Sequence, residues 1–345
     1  MLDAFGFNSP EQMPVVYHPS PAGLFVHGQK LLDLFNQYPP DNPVVFDFIP
    51  SLPPGTLDER GRYHEVRRDE WGTEWEYLIY GIQGHPQSYP FASWREAQEF
   101  EFPPSSCFVP SRAQVLEQRK DHLVFGGWIS IFEKLHGLRP MDELLMDLAT
   151  GDRDLLLFLD RMVEYWLSVV EALIEAGVDV ITFGDDWGAQ TYTLISPAMF
   201  RRIFKPRYAK LMDPIKNAGR KVFFHSCGFL GEIFDELVDL GIDGLWPQIT
   251  LCENDPTFVD KCREHRITIY IHPDRQRLIP LGTPQEIENA IRDYAVRYHR
   301  LGGGGIFYIE IENDAPFENV EALVRSVHRY RNRDALLEKG KLLSA

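Results

Sequence analysis

Along the chain, short runs rich in β-branched and aromatic residues alternate with longer stretches whose apolar positions recur at helical spacing. The runs are Val15 to His18, Val44 to Phe48, Leu123 to Gly126, Val178 to Phe183, Val222 to His225, Ile242 to Trp246, Ile267 to His272 and Ile306 to Glu312. Strand, helix and strand in succession is the pattern of a parallel sheet, and eight such runs predict an α/β fold, a (β/α)8 TIM barrel occupying residues 1–345 as a single domain.

Helix punctuation falls between the runs. Ser196-Pro197 and Thr283-Pro284 each place an N-cap residue before a proline at the first helical position, and Thr283 with Glu286 has the spacing of a capping box. Gly177, Gly219 and Gly241 stand where a helix must stop before the next strand. Leu155 to Ala176 reads as one long helix whose stripe of Leu159, Met162, Trp166, Val170 and Leu173 marks a core-facing side. Residues 50–121 break the rhythm between the second and third strands and include RRDEWGTEWEYLIYGIQGHPQSYPF. This insertion is too aromatic for a linker, and it is expected to serve as a lid or docking element through Trp71 and Trp75.

In a barrel of this kind the C-terminal ends of the strands carry the chemistry. Those ends read His18, Asp47, Trp128, Asp185 with Asp186, His225 with Cys227, Trp246 with Gln248, His272 with Asp274, and Glu310 with Glu312. The stretch KVFFHSCGFL closes an apolar strand with an imidazole and a thiol, the donors that zinc accepts most readily. In YIEIEND the alternation sends Tyr308, Glu310 and Glu312 to one face and Ile309 and Ile311 to the other. Glu310 is therefore the expected third metal ligand beside His225 and Cys227, with Glu312 and His272 in reserve. The competing reading is a hydrogen-bonded core histidine next to a cysteine that acts as a small hydrophobe. Asp185 and Asp186 are adjacent carboxylates ending a buried strand, expected either as the catalytic acid and base or as helix and loop caps. His18, Trp128, Gln190, Trp246, Gln248, His272 and Tyr308 are the expected substrate-binding side chains.

A formal net charge of -16 argues against nucleic acid or an anionic membrane surface as partner, because both demand clustered Lys and Arg. The opening MLDAFGFNSPEQMP has neither the basic nor the apolar region of a signal peptide, and no uncharged apolar run is long enough for a membrane span, so a cytoplasmic location is expected. The cysteines at 107, 227, 252 and 262 are too sparse for a disulfide framework and read as thiols or ligands. The sequence contains no phosphate-binding glycine loop, no nucleophile elbow and no CxxC pair.

From Phe183 to Gln248 the chain resembles the uroporphyrinogen decarboxylase superfamily. The resemblance rests on D-D-x-G-x-Q at Asp185 to Gln190, S-P-x-x-F at Ser196 to Phe200, H-x-C-G at His225 to Gly228 and G-x-D at Gly241 to Asp243. LGTPQEI and DAPFENV extend it toward the C-terminus, while RRDEWGTEWE and FEKLHGLRPMDELLMDL fit more loosely. The R-Q-A-G-R signature with which porphyrinogen decarboxylases grip substrate carboxylates is absent. The H-x-C strand end is instead similar to the methylcobamide-dependent methyltransferases, in which a histidine, this cysteine and a later cysteine hold zinc. His225 and Cys227 match two of those ligands, and the last strand offers Glu310 and Glu312 in place of the third.

The resemblance implies a zinc-dependent methyltransferase that moves a methyl group between a corrinoid carrier protein and a thiol or a small methylated substrate, such as an O-methyl compound. The partners it implies are a small molecule, the cobalamin-bearing carrier and, in a homodimer, a second copy of the chain. The main alternative is a metal-free decarboxylase of a small carboxylate, for which Arg275 and Arg277 supply the basic residues. A third class is a non-enzymatic barrel that binds a sugar or a methoxylated aromatic for another subunit.

Overall fold

The structure, a computed structural model, describes residues 1–299 and 302–332. Ten strands form among the described residues: β1 (Val15–His18), β2 (Glu65–Arg68), β3 (Glu74–Tyr77), β4 (His85–Ser88), β5 (Phe125–Ile129), β6 (Val180–Gly184), β7 (Lys221–Ser226), β8 (Gly244–Pro247), β9 (Thr268–Ile271) and β10 (Gly305–Glu310). The chain divides into two compact units, one holding Met1–Thr56, Ile79–Ile82 and the residues from Asp243 onward, the other Leu57–Leu78 and Gln83–Ile242.

In the first unit β1, β10, β9 and β8 form a parallel ladder in that order. Its register pairs Val16 with Tyr308, His18 with Glu310, Ile306 with Tyr270 and Leu245 with Ile269. Because side chains alternate across a strand, Trp246, Tyr270, His272, Tyr308 and Glu310 share one face. Phe307, Ile309 and Ile311 take the other and are buried. The helices Pro284–His299 and Phe317–Tyr330 pack on each other. Thr283 and Glu286 cap the first of these reciprocally, as their spacing predicts.

β1 ends its ladder, and side chains cover its outer edge. Asp41 Oδ2 accepts the Val15 N–H at 2.7 Å, and the Asn42 carboxamide accepts from Tyr17 N at 2.9 Å while donating to Tyr17 O at 3.0 Å. This is why Val44 to Phe48, expected as the second strand, is a loop. The hydrogen bonds it would make are already taken, and Val45 and Phe48 are 75% and 65% exposed.

In the second unit β5, β6 and β7 run parallel, with β6 buried along its whole length. The long helix spans Arg153–Ala176, begins where the Asp152 side chain accepts the Leu155 N–H at 2.8 Å, and stops at Gly177 in the left-handed conformation. The insertion contains what its sequence did not announce, an antiparallel sheet of β2, β3 and β4. Trp71, expected as a lid contact, is 1% exposed and packs against Phe100, Phe102, Tyr165 and Trp166. Its indole is spent on fastening the insertion to the long helix, where Arg161 also donates to the carbonyls of Ala97 and Phe100.

The strand–helix–strand unit of a (β/α)8 barrel thus recurs in both units. No disulfide joins the four cysteines, and no helix among the described residues is long and apolar enough to cross a membrane.

Candidate metal centre

β6 and β7 lie in register with Gly184 opposite His225, and the two chains stay together beyond the ladder. Asp185 N–H donates to His225 O at 3.1 Å, Trp187 N–H to Ser226 Oγ at 3.0 Å, and Phe229 N–H to Ala189 O at 2.8 Å. Gly228, at a φ of 79°, rests against the Gly188 backbone so closely that a Cβ would fall 1.9 Å from the Gly188 carbonyl oxygen. A glycine is needed there on both counts.

This zipper sets three donors around one point. Asp186 Oδ1 accepts the Cys227 N–H at 2.6 Å and stands 3.4 Å from His225 Nε2, which is 3.6 Å from Cys227 Sγ. One ligand atom from each residue lies within 4.8 Å of the others, and all three side chains are half-buried. Metal–ligand bonds of about 2.0–2.3 Å at tetrahedral angles separate neighbouring ligand atoms by about 3.3–3.8 Å. The oxygen, nitrogen and sulfur donors therefore suit a zinc ion in both spacing and chemistry.

Trp128 covers the imidazole, its ring 5.5 Å from that of His225. The tryptophan sits in the irregular part of β5, where pairing with β6 shifts between Gly126 and Ile129, and its indole crosses the bare Cα of Gly184.

Asp185 has a different environment. It is completely buried, and its oxygens accept from Ser130 Oγ at 3.0 Å, Ile131 N at 2.9 Å, Glu133 N at 2.8 Å and the Tyr208 hydroxyl. These bonds hold the start of the helix Phe132–Leu138 against the end of β6. Burial pushes the Asp185 carboxyl up to about 7, while the hydroxyl and backbone donors pull the other way. Sequence reasoning missed Ser130, Glu133 and Tyr208, which come from distant elements and carry no local motif. The signal for Asp186 was present: the second residue past a strand whose parallel neighbour carries His225 one residue before its end.

Glu310 lies in the first unit. There its carboxylate is 3.7 Å from His18 Nε2, and burial with the neighbouring Glu312 pushes it up to about 7 against the pull of Arg275. Glu312 is paired with Arg275 at 3.4 Å. Trp246, His272 and Tyr308 are mutual neighbours on the same ladder face. Gln248 donates to Gln276 at 3.2 Å, and Gln190 is exposed on the turn between Gly188 and Thr193.

The family model for uroporphyrinogen decarboxylase (URO-D) matches residues 136–330. Uroporphyrinogen decarboxylase of Coxiella burnetii is 25% identical over 182 residues, 50% of this chain, and the match spans 46% of that enzyme's length. A solved structure, a methyltransferase from Methanosarcina mazei, is similar with a TM-score of 0.57 at 18% identity, over 94% of this chain and 96% of that one. The likeness shows a shared fold, the (β/α)8 TIM-barrel class that the strand pattern predicts.

Proposed function

Since this chain belongs to the uroporphyrinogen decarboxylase family, we propose that it is a metal-dependent methyltransferase of that family, exchanging a methyl group with a corrinoid carrier protein. The observation that carries the reading is the grouping of Asp186, His225 and Cys227 at the paired ends of β6 and β7. Three protein donors with a further position open is the form of a catalytic zinc site. A divalent metal held there supplies a Lewis acid for the heteroatom bonded to the methyl group.

The chain's own residues have separable tasks in this reading. Cys227 and His225 hold the ion from the strand end, and Asp186 completes the set while its bond to the Cys227 N–H fixes the loop. Trp128 packs its ring beside the imidazole and helps to fix its orientation. Asp185 is a positioning residue that locks the β5 and β6 loops together. The substrate is a small methylated compound or a thiol, and the corrinoid protein is the macromolecular partner.

The test is elemental analysis of the purified protein beside Cys227→Ala, followed by corrinoid methylation read from the cobalt absorption spectrum. About one zinc per chain, lost in the variant, is the expected result. Protein that binds no metal when reconstituted with zinc would instead favour the second reading, a metal-free decarboxylase, which the match to the Coxiella enzyme supports.

A further inference from the structure

Between the two metal donors of β7 lies Ser226, the last residue of the strand and fully buried. His225 and Cys227 bring their donor atoms together, so the alternation of the chain turns the serine to the other side, against the segment that follows β6. Its hydroxyl makes two hydrogen bonds there. Oγ accepts the Trp187 N–H at 3.0 Å and donates to Cys227 O at 3.2 Å. Trp187 directly follows Asp186, and Cys227 is itself a donor, so one oxygen joins the backbones of the two loops that carry the candidate ligands.

Trp187 gives this bridge a firm end. It is fully buried, with its ring 4.4 Å from Phe132, 4.7 Å from Phe204 and 5.2 Å from Phe200. The next residue, Gly188, donates its N–H to the same Cys227 carbonyl at 3.3 Å, while Asp186 Oδ1 accepts the Cys227 N–H. Both backbone polar groups of the cysteine are thus bonded to the β6 loop.

We propose that Ser226 is a positioning residue for the metal centre, its hydroxyl setting the separation between the Asp186 carboxylate and the Cys227 thiol. The proposal rests on the metal reading above. Ligands carried by two strands hold an ion well only while their backbones keep a fixed spacing, and groups outside the coordinating set supply that constraint. Alanine at 226 keeps the strand but removes the tie. The buried Trp187 N–H then loses its acceptor, and a donor stranded in this way costs enough to shift a short loop toward a new partner.

The test compares the unaltered protein with Ser226→Ala and with Val222→Ala, a cavity in the same strand that leaves the bridge intact, each with its folding checked by urea denaturation. Zinc affinity is read by competition with a chromophoric chelator. Cobalt(II) in place of zinc reports the arrangement of the donors through its ligand-field and thiolate charge-transfer bands. Ser226→Ala is expected to bind zinc about tenfold more weakly and to shift the cobalt bands. Val222→Ala is expected to lose stability with affinity and spectrum unchanged. An unchanged affinity and spectrum in Ser226→Ala, or an equal loss in Val222→Ala, overturns the proposal and leaves the metal reading standing. Unaltered protein that binds neither metal overturns both.

Discussion

Asp186 and Cys227 are tied through the backbone, the carboxylate oxygen accepting the cysteine N–H at 2.6 Å while the same oxygen stands 3.4 Å from His225 Nε2. One side chain thus orients a donor set and closes a loop. Asp186→Asn keeps the backbone contact but weakens the third donor. It is expected to lower zinc affinity by about 10- to 100-fold in competition with a chromophoric chelator. Glu310→Gln is expected to leave that affinity unchanged, and a loss there would move the third ligand to the last strand.

Gly184 and Trp128 form a second dependence. A Cβ at Gly184 would lie 2.3 Å from the indole ring that crosses it. Gly184→Ala is expected to cost about 1–3 kcal/mol in urea unfolding through overpacking. Adding Trp128→Ala should recover part of that cost, so strictly additive losses in the double variant would show that the indole is not the obstacle.

Asp185 is predicted to matter for stability. Asp185→Ala strands the buried donors of Ser130, Ile131, Glu133 and Tyr208, and is expected to cost on the order of 3 kcal/mol or more. Tyr208→Phe removes one donor and should cost about 1–2 kcal/mol. Fluorescence-monitored urea denaturation reads both; a neutral Asp185→Ala would contradict the role assigned.

His328 gives a pH dependence that does not involve the metal donors. Its Nε2 is 2.9 Å from the Tyr17 hydroxyl, which itself donates to Tyr38 O at 2.8 Å. Burial, aided by Arg331 and opposed by Asp41, lowers its folded-state value to about 4 from an ordinary 6.5. The unfolded chain takes up this proton first, so the contribution is complete above about 6.5 and is lost as pH falls toward 4. Stability should decline by on the order of 2 kcal/mol across that window, less so in His328→Gln, as urea midpoints at successive pH values would show.

The repeating strands, the capped helices and the H-x-C strand end were legible because each is a local pattern with one physical cause. Thr283 and Glu286 cap each other because three residues is the reach of a first helical turn. Val44 to Phe48 misled for the opposite reason. Its composition suits a strand, but Asp41 and Asn42 occupy the edge it needed, a competition that composition does not express. Likewise, the sequence presents Asp186 as an acid or base, and its nearness to His225 emerges only from the β6–β7 register, which puts Gly184 opposite that histidine. Tyr208 reaches Asp185 from 23 residues away, a relationship that helical packing decides.

The Asp41 and Asn42 side chains at β1 also bear on how this protein keeps to itself. A row of open backbone groups at the end of a ladder is a template for strand addition by another molecule, the first step toward aggregation. Here two side chains satisfy those groups, so the protection does not depend on the loop that follows. That loop is released from any two-residue repeat and is free to change in length and composition, while Asp41→Ala or Asn42→Ala would reopen the edge.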